Sequence, residues 1–332
     1  MDLFFSFFVF NLLLLFLNEK IILLFNTYDV PDKKRKIHKY KVSLSGGFFL
    51  YLNFLLFFII YFINQNNNEN IVSFFGSSEN FIIFFFISSI FFIFGYFDDK
   101  LNISANYKLF FSSILIILIL LLDNSLIISL INFSFVDNII YLGRYKFFFT
   151  LICFLLFINA FNMFDGINLQ AGLYSLYLFV IYLFITDNLQ LFIPFVVPLI
   201  LFLYLNYKNK VFLGNSGSLF LSFSISYFAI KIFNNNFDLY SDEIFLLMIL
   251  PGIDMLRLFF VRLLNKKSPF KPDKQHMHHY LLNKFKYKLT IVISIFLSTF
   301  PFILSFVIES YFVLILFLMI YFIFFYHLRK YY

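Results

Sequence analysis

The sequence predicts an all-α polytopic membrane protein in which residues 1–332 form a single integral membrane domain. Hydrophobic residues make up 62% of the chain, charged residues 13%, and the mean hydropathy is +0.89, which excludes an ordinary soluble domain. Uncharged runs such as residues 81–97 have the length of a membrane span. Basic residues gather in alternate connections between such runs, as expected for a chain that crosses the membrane repeatedly.

About eleven apolar segments are expected to form transmembrane helices. Residues 1–17 lack a basic leading segment and a small-residue cleavage site, so the first segment is interpreted as a span rather than a cleaved signal. The predicted spans are 3–25, 47–63, 81–97, 108–122, 147–163, 167–186, 189–205, 218–233, 244–261, 289–307 and 311–327.

The distribution of basic residues predicts the orientation of these spans. If successive connections alternate between the two sides, one side holds 21 of the 25 Lys and Arg residues, counting those at the adjoining span ends. The positive-inside rule makes this side cytoplasmic, with an external N-terminus and a cytoplasmic C-terminus. The other four basic residues are Lys20, Arg144, Lys146 and Lys231.

The connections on the opposite side differ in composition. Residues 64–70 and 234–243 contain no basic residue and are expected to be solvated external connections. Residues 123–146 mix short apolar runs with polar residues and Gly143, which predicts an external hairpin. The single cysteine, Cys153, lies in an apolar run, so disulfide bonds and thiolate metal sites are excluded.

Two adjacent carboxylates, Asp98 and Asp99, follow the apolar run 81–97. Neighbouring carboxylates repel each other and are costly to desolvate, and a magnesium ion bridging phosphates would relieve that repulsion. Lys108, at the start of the next span, would hold a phosphate nearby. The alternative is a hydrated helix cap, because neighbouring side chains on a helix diverge by about 100°.

Amides and one further carboxylate occur at two other predicted span ends. Asn162, Asp165 and Asn168 lie in the stretch 159–168, and Asn215 lies between two glycines in 213–218. Polar residues in a membrane protein commonly face a cavity or a partner helix. The alternatives are hydrogen bonding between helices for the first stretch and a turn residue for Asn215.

Glycines and histidines complete the set of candidate residues on the cytoplasmic side. Gly46 and Gly47 would offer backbone N–H groups to an anion, whereas the basic loop before them would also suit topology or anionic lipid. His276, His278 and His279 suggest zinc, pyrophosphate binding or an acid. No cysteine or nearby glutamate helps to complete a zinc site, and a structural role in a solvated loop stays open.

In this order, the motifs resemble those of the polyprenyl-phosphate N-acetylhexosamine-1-phosphate transferases, the family that contains WecA, TagO and MraY. SPFKPDKQHMHH at 268–279 is similar to the histidine loop of the WecA-like members, and NAFNMFDGIN at 159–168 is similar to a second motif. The resemblance implies transfer of a sugar 1-phosphate from a UDP-sugar to polyprenyl (undecaprenyl) phosphate, with release of UMP, as the first membrane step of a cell-envelope polysaccharide or glycolipid pathway.

The resemblance also implies cofactors, partners and location. The cofactor would be Mg²⁺, with Mn²⁺ as a substitute. The partners would be polyprenyl phosphate, a UDP-sugar and membrane lipid; a homodimer is an open option, and no nucleic-acid partner is expected. The protein would be a multi-pass protein of a bacterial inner (plasma) membrane with a cytoplasmic active site.

Each motif takes a role from the resemblance. The three carboxylates would be catalytic: Asp98, Asp99 and Asp165. Two of them and two amides would hold the metal: Asp98, Asp99, Asn162 and Asn215. Residues that would bind the phosphates, the sugar or the uridine end are Lys108, Asn168, Arg262, His276, His278, His279, Gly46 and Gly47.

The sequence departs from the family pattern at the metal motifs. FLGNSGS at 212–218 has Asn215 where an aspartate is usual, and DGINL has Asn168 in place of another carboxylate. The first loop has one extra residue before Arg35, and Ser43 occupies a usual proline position. An amide oxygen ligates magnesium without charge, so metal affinity is affected more than reaction class. A catalytically inactive lipid-phosphate-binding paralogue and a secondary transporter are the competing interpretations.

Overall fold

The computed structural model describes residues 3–31, 40–63, 69–235, 237, 239–266 and 275–329. Within these residues the chain is mostly helical. The helices are α1 (Leu3–Phe16), α2 (Asn18–Phe25), α3 (Gly46–Ile63), α4 (Glu69–Phe75), α5 (Ser78–Leu101), α6 (Ala105–Leu122), α7 (Lys146–Phe164), α8 (Gln170–Thr186), α9 (Leu189–Tyr207), α10 (Gly214–Asn234), α11 (Ser241–Leu247), α12 (Ile249–Leu264), α13 (Met277–Lys284), α14 (Tyr287–Leu304) and α15 (Ser310–Arg329).

The chain is a multi-pass membrane protein, and each predicted span coincides with a helix or a bent pair of helices. Among the described residues, eight helices are long and apolar enough to cross a membrane, or up to ten if each bent pair forms one span. The predicted span 167–186 corresponds to α8, which is shorter, with 17 residues. The predicted number of about eleven spans is therefore not confirmed, and the predicted spans 3–25 and 244–261 correspond to pairs of helices bent by 72° and 81°.

The second bend has a cause in the sequence. Pro251 lacks the N–H that would bond to the Leu247 carbonyl one turn earlier, and its ring would collide with that carbonyl in a straight helix. The helix breaks at Met248, and the hydroxyl of Tyr174 donates to the freed Leu247 carbonyl at 2.7 Å. A tertiary hydrogen bond thus replaces the one that proline removes.

The architecture is not purely helical, because two short antiparallel sheets accompany the bundle. Strands β1 (Tyr28–Asp29) and β2 (Val42–Ser43) pair before α3, and β3 (Leu130–Phe133) pairs with β4 (Val136–Tyr141). The second pair confirms the hairpin predicted for 123–146. Asp242 holds it against α11 by accepting from the Ser134 N–H at 3.0 Å and its hydroxyl at 2.5 Å.

Helix α10 is the centre of the bundle and is almost completely buried. It packs most extensively on α5, and also on α7, α3 and α8. Small residues let the backbones approach closely: a methyl group on Gly95 of α5 would come within 2.4 Å of the Asn215 carbonyl oxygen. The same holds where Gly47 of α3 meets Gly217. The first turn of α10 is therefore held between the ends of two neighbouring helices.

Two amides form a reciprocal hydrogen bond between α1 and α3. The Asn11 Nδ2 donates to Asn53 Oδ1 at 2.7 Å, and Asn53 Nδ2 donates back to Asn11 Oδ1 at 3.2 Å, with both side chains buried. We expect Asn53→Leu to lower the free energy of unfolding by about 1 kcal/mol, because it leaves the Asn11 amide without this partner. Thermal denaturation in detergent measures this loss. Asn11→Leu/Asn53→Leu is expected to lose less than the sum of the two single variants, and additive losses would contradict the pairing.

Candidate active site

The carboxylate of Asp99, in the last turn of α5, lies against the N-terminus of α10. We call this end of the bundle, where α5 and α7 end and α10 begins, the site end. One carboxylate oxygen accepts from the Asn215 N–H at 2.7 Å and the other from the Ser216 N–H at 3.1 Å. Gly214 precedes them with φ +71, and a methyl group there would come within 2.7 Å of Asp99 Oδ2. A glycine is thus required by both the backbone conformation and the approach of the carboxylate.

The neighbouring Asp98 has different partners. Its carboxylate is buried, forms an ion pair with Lys108 Nζ at 2.5 Å and accepts from the Ile103 N–H at 2.9 Å, which closes the turn after α5. The two aspartates therefore diverge, as neighbouring residues on a helix do. Lys108, predicted from the sequence to bind a phosphate, is thus paired with the Asp98 carboxylate.

The end of α7 brings a third carboxylate to the same place. Asn162 Oδ1 accepts from the hydroxyl of Ser218, in the first turn of α10, at 3.1 Å. Asp165 follows as the residue after α7. Burial and the nearby negative charge of Asp99 raise the pKa of Asp165 to about 7. The carboxylates of Asp99 and Asp165 repel each other in a buried environment. A cation bound between them would relieve this repulsion.

Residues 275–279, which we call the histidine segment, lie against the loop that carries Asp165. The ring of His278 covers Gly166 so closely that a methyl group on this glycine would come within 2.2 Å of His278 Nε2. The rings of His276 and His278 are parallel, with centroids 5.5 Å apart, and His279 is 4.3 Å from His278. Burial lowers the pKa of His278 well below its ordinary value, so this ring is neutral.

The double glycine of α3 has another role than the one predicted. The N–H groups of Gly46 and Gly47 donate to the carbonyls of Phe212 and Leu213 at 2.9 and 3.0 Å. They are therefore engaged with the chain and do not bind an anion, so this expectation is wrong. The two glycines instead allow α3 to pack closely beside the first turn of α10.

The comparison with known families agrees with this arrangement of motifs. Residues 81–233, from α5 to the last turn of α10, match the sequence model of glycosyl transferase family 4. The matched part carries Asp98, Asp99, Asp165 and Asn215, and the match supports the family predicted from the sequence.

Several curated relatives are similar to this chain over a shared stretch. The undecaprenyl-phosphate alpha-N-acetylglucosaminyl 1-phosphate transferase of Escherichia coli O157:H7 is 28% identical over 200 residues, covering 57% of this chain and 54% of the relative. The probable undecaprenyl-phosphate N-acetylglucosaminyl 1-phosphate transferase of Bacillus subtilis (strain 168) is 29% identical over 198 residues, covering 57% and 55%. The chain thus spans about half the length of the curated relatives it matches.

Members of glycosyl transferase family 4 are expected to use a divalent cation, and the residues at the site end suit one. Asp99 and Asp165 supply two carboxylates, and Asn162 and Asn215, at the adjoining ends of α7 and α10, carry amide oxygens; both are oxygen ligands that suit hard divalent cations. Within the described part of the chain, no group of three or more His, Cys, Asp or Glu side chains is arranged so that it could hold a metal ion. The residues present therefore suit a divalent cation through two carboxylates supplemented by amides.

Two further predicted residues are Asn168, in the loop after α7, and Arg262, in α12. Asn168 Nδ2 donates to Asn209 Oδ1 at 2.6 Å, while its backbone carbonyl accepts from the Tyr287 hydroxyl at 3.0 Å, so Asn168 joins the loop after α7 to the loop after α9 and to the start of α14. Arg262 is buried in the last turn of α12. Arg35 and the stretch 268–274 of the histidine motif lie outside the described residues.

Sequence reasoning missed one buried acid that contacts the histidine segment. Asp254 of α12 accepts from Arg257 at 2.8 Å and from the Tyr321 hydroxyl at 2.9 Å, and its other oxygen lies 3.0 Å from His276 Nδ1. The signal was the one carboxylate of α12, three residues before Arg257, since ionisable residues in membrane helices commonly mark functional positions.

Proposed function

We propose that this protein transfers a sugar 1-phosphate, an N-acetylhexosamine 1-phosphate, from a UDP-sugar to polyprenyl phosphate and releases UMP. The reaction would take place at the cytoplasmic face of a bacterial plasma membrane, where basic residues are concentrated. The observation that carries the proposal is the meeting of Asp99, Asp165, Asn215 and His278 around the N-terminus of α10. The family match and the names of the relatives support the same reaction class.

The residues of the site suggest how the reaction proceeds. An oxygen of the lipid phosphate would attack the phosphorus that carries the sugar, and the bond from this phosphorus to the bridging oxygen would break, so that UMP leaves with the electron pair. The lipid phosphate is already largely ionised at neutral pH, so only a weak base is needed to remove the remaining proton. Asp98 is the candidate for this base. Bound magnesium would supply positive charge to neutralise the diphosphate.

An apolar cavity supports a lipid substrate. It has a volume of about 500 Å³ and is lined by the β3–β4 hairpin, α7, α10 and the broken pair α11–α12. Its lining includes Ala160, two residues before Asn162, and continues to Phe133 and Phe135 of the hairpin. This cavity would hold part of a prenyl chain whose phosphate reaches the site end, because burial of apolar chain in such a space is favourable.

The test is the release of UMP by the purified protein in lipid nanodiscs. Polyprenyl phosphate, Mg²⁺ and a panel of UDP-sugars are supplied, including UDP-GlcNAc and UDP-GalNAc, and reactions without the lipid phosphate are the control. We expect UMP release that requires both substrates and Mg²⁺. Failure with every common UDP-N-acetylhexosamine would overturn the transferase proposal and favour an inactive, lipid-binding protein.

Restoring the usual carboxylate at position 215 tests the metal assignment. We expect Asn215→Asp to retain activity and to lower the Mg²⁺ concentration needed for half-maximal activity, because a carboxylate adds charge to an amide position of the same shape. Titration of Mg²⁺ in the transfer assay measures this change. Asn138→Asp, at an exposed position of β4 in the hairpin, is the matched control for the added charge. Complete loss of activity in Asn215→Asp would show that the site is built for the amide.

A further inference from the structure

Asp254 is a buried carboxylate whose partners come from three parts of the chain. Its own helix contributes Arg257, α15 contributes the hydroxyl of Tyr321, and the start of α13 contributes His276 Nδ1 and the Met277 N–H, the latter at 3.2 Å. A buried charge is stable only when it is paired and hydrogen-bonded, and these contacts satisfy both of its oxygens. The carboxylate therefore joins α12 and α15 to the histidine segment.

Arg257 strengthens this junction from the other side. Its guanidinium donates to the Gln275 carbonyl at 2.6 Å and to the Tyr321 hydroxyl at 3.0 Å, and it lies over the ring of Phe325 at 3.9 Å. The buried ion pair of Asp254 and Arg257 thus bonds to the backbone on both sides of His276, at Gln275 and Met277. The backbone of this segment is fixed in position on α12.

The contact with Asp254 also determines which nitrogen of His276 is available. When Nδ1–H donates to a carboxylate, the ring is held in one orientation and Nε2 is left for another partner. The His276 ring is parallel to that of His278, and His278 covers Gly166 beside Asp165. A continuous series of contacts therefore leads from Asp254 through the two histidines to the carboxylates of the site end.

We propose that Asp254 is a positioning residue, which orients His276 and seats the segment 275–279 against the Asp165 loop, so that the histidines meet the diphosphate of the donor. This inference rests on the proposed function. Asp254 itself would not touch substrate, because Arg257, Tyr321, Met277 and His276 surround its carboxylate.

Kinetics of four variants in nanodiscs test the proposal: Asp254→Asn, His276→Gln, the double variant, and Tyr321→Phe. Tyr321→Phe is the matched control, since it also removes one hydrogen bond from Asp254 but leaves the carboxylate and His276 in place. We expect Asp254→Asn to lower kcat/KM for the UDP-sugar by about tenfold to a hundredfold, as for carboxylates that orient ligand histidines, with the KM for polyprenyl phosphate unchanged. Tyr321→Phe is expected to stay near wild type.

The double variant separates positioning from a general effect on folding. If Asp254 acts through His276, Asp254→Asn/His276→Gln has the kcat/KM of His276→Gln alone, because the second change removes nothing further. The proposal would be overturned if the losses in kcat/KM of the two single variants multiplied in the double variant. It would also be overturned if Asp254→Asn raised the KM for both substrates equally.

A second readout does not depend on activity. Hydrogen exchange of the backbone amides at 277–281 is expected to accelerate in Asp254→Asn and not in Tyr321→Phe. A wild-type protein that releases no UMP would overturn the proposed function alone, whereas unchanged exchange in Asp254→Asn would overturn the positioning role.

Discussion

Replacing Asp99 by asparagine is expected to abolish sugar-phosphate transfer while the protein stays folded in the membrane. The amide retains the shape of the side chain and an oxygen to accept from the N-terminus of α10, where the carboxylate now accepts from Asn215 and Ser216. It loses the negative charge, and with Asn168 and Asn215 already uncharged, few carboxylates are left to attract a cation. The loss in kcat is expected to exceed about 10²–10³, the effect of removing one electrostatic contact from a transition state.

Asp137→Asn is the matched control, because it makes the same chemical change at an exposed position of β4 in the hairpin. It should retain the transfer rate of the wild type. The two variants are compared by the initial rate of UMP release and by the amount of protein extracted from the membrane. An Asp99→Asn variant with full activity would remove Asp99 from the site.

Replacing Lys231 by methionine is expected to lower the free energy of unfolding by about 3–5 kcal/mol, the cost of leaving a buried charge without its partner. The Lys231 side chain is 1% exposed, and its Nζ lies 3.3 Å from Asp123 Oδ2; Nζ also donates to the Phe75 carbonyl at 2.8 Å and to the Ser125 hydroxyl. The Tyr227 hydroxyl donates to the same Asp123 oxygen at 3.1 Å. These contacts join α10 to α6 and α4 at the end of the bundle opposite the site.

Thermal denaturation in detergent measures the effect of Lys231→Met. The control is Lys146→Met, the same change at an exposed position at the start of α7, which should leave the melting temperature close to that of the wild type. Combining Lys231→Met with Asp123→Asn should recover part of the loss, since the second change removes the unpaired charge. A Lys231→Met protein as stable as the wild type would mean that this ion pair contributes little to the fold.

The positions of the spans could be predicted because long apolar runs have few alternatives to a helix in a membrane. The interruptions could be predicted only in part. Pro251 signals the break at Met248, whereas the bend at Leu17 occurs without proline or glycine, and its local signal is the polar stretch 18–20 that interrupts the apolar run. Lys231, an exception to the positive-inside pattern, is explained by burial against Asp123, a partner 108 positions away in the chain.

The alternation of spans predicts that the motifs lie at one end of the bundle. It does not predict which hydrogen-bond partner each side chain of these motifs has. Asp98 bonds to Lys108 and Asp99 to α10, a division that depends on how α5 is rotated against its neighbours. The N–H groups of Gly46 and Gly47 are used by the chain segment before α10, which passes beside Ser43. Asp254 could not be paired from the sequence, because its partners His276 and Tyr321 lie 22 and 67 residues away.

The fate of the β-phosphate of the donor distinguishes the transfer of a sugar 1-phosphate from the transfer of the sugar alone. UDP-N-acetylglucosamine labelled with ³²P in the β-phosphate and with ³H in the sugar is incubated with the protein, polyprenyl phosphate and Mg²⁺, and the lipid product is extracted. Transfer of a sugar 1-phosphate predicts that ³²P and ³H enter the lipid in equal amounts, while UMP is left in the water phase. A lipid that carries ³H without ³²P, with labelled UDP in the water phase, would contradict the proposed transfer of a sugar 1-phosphate.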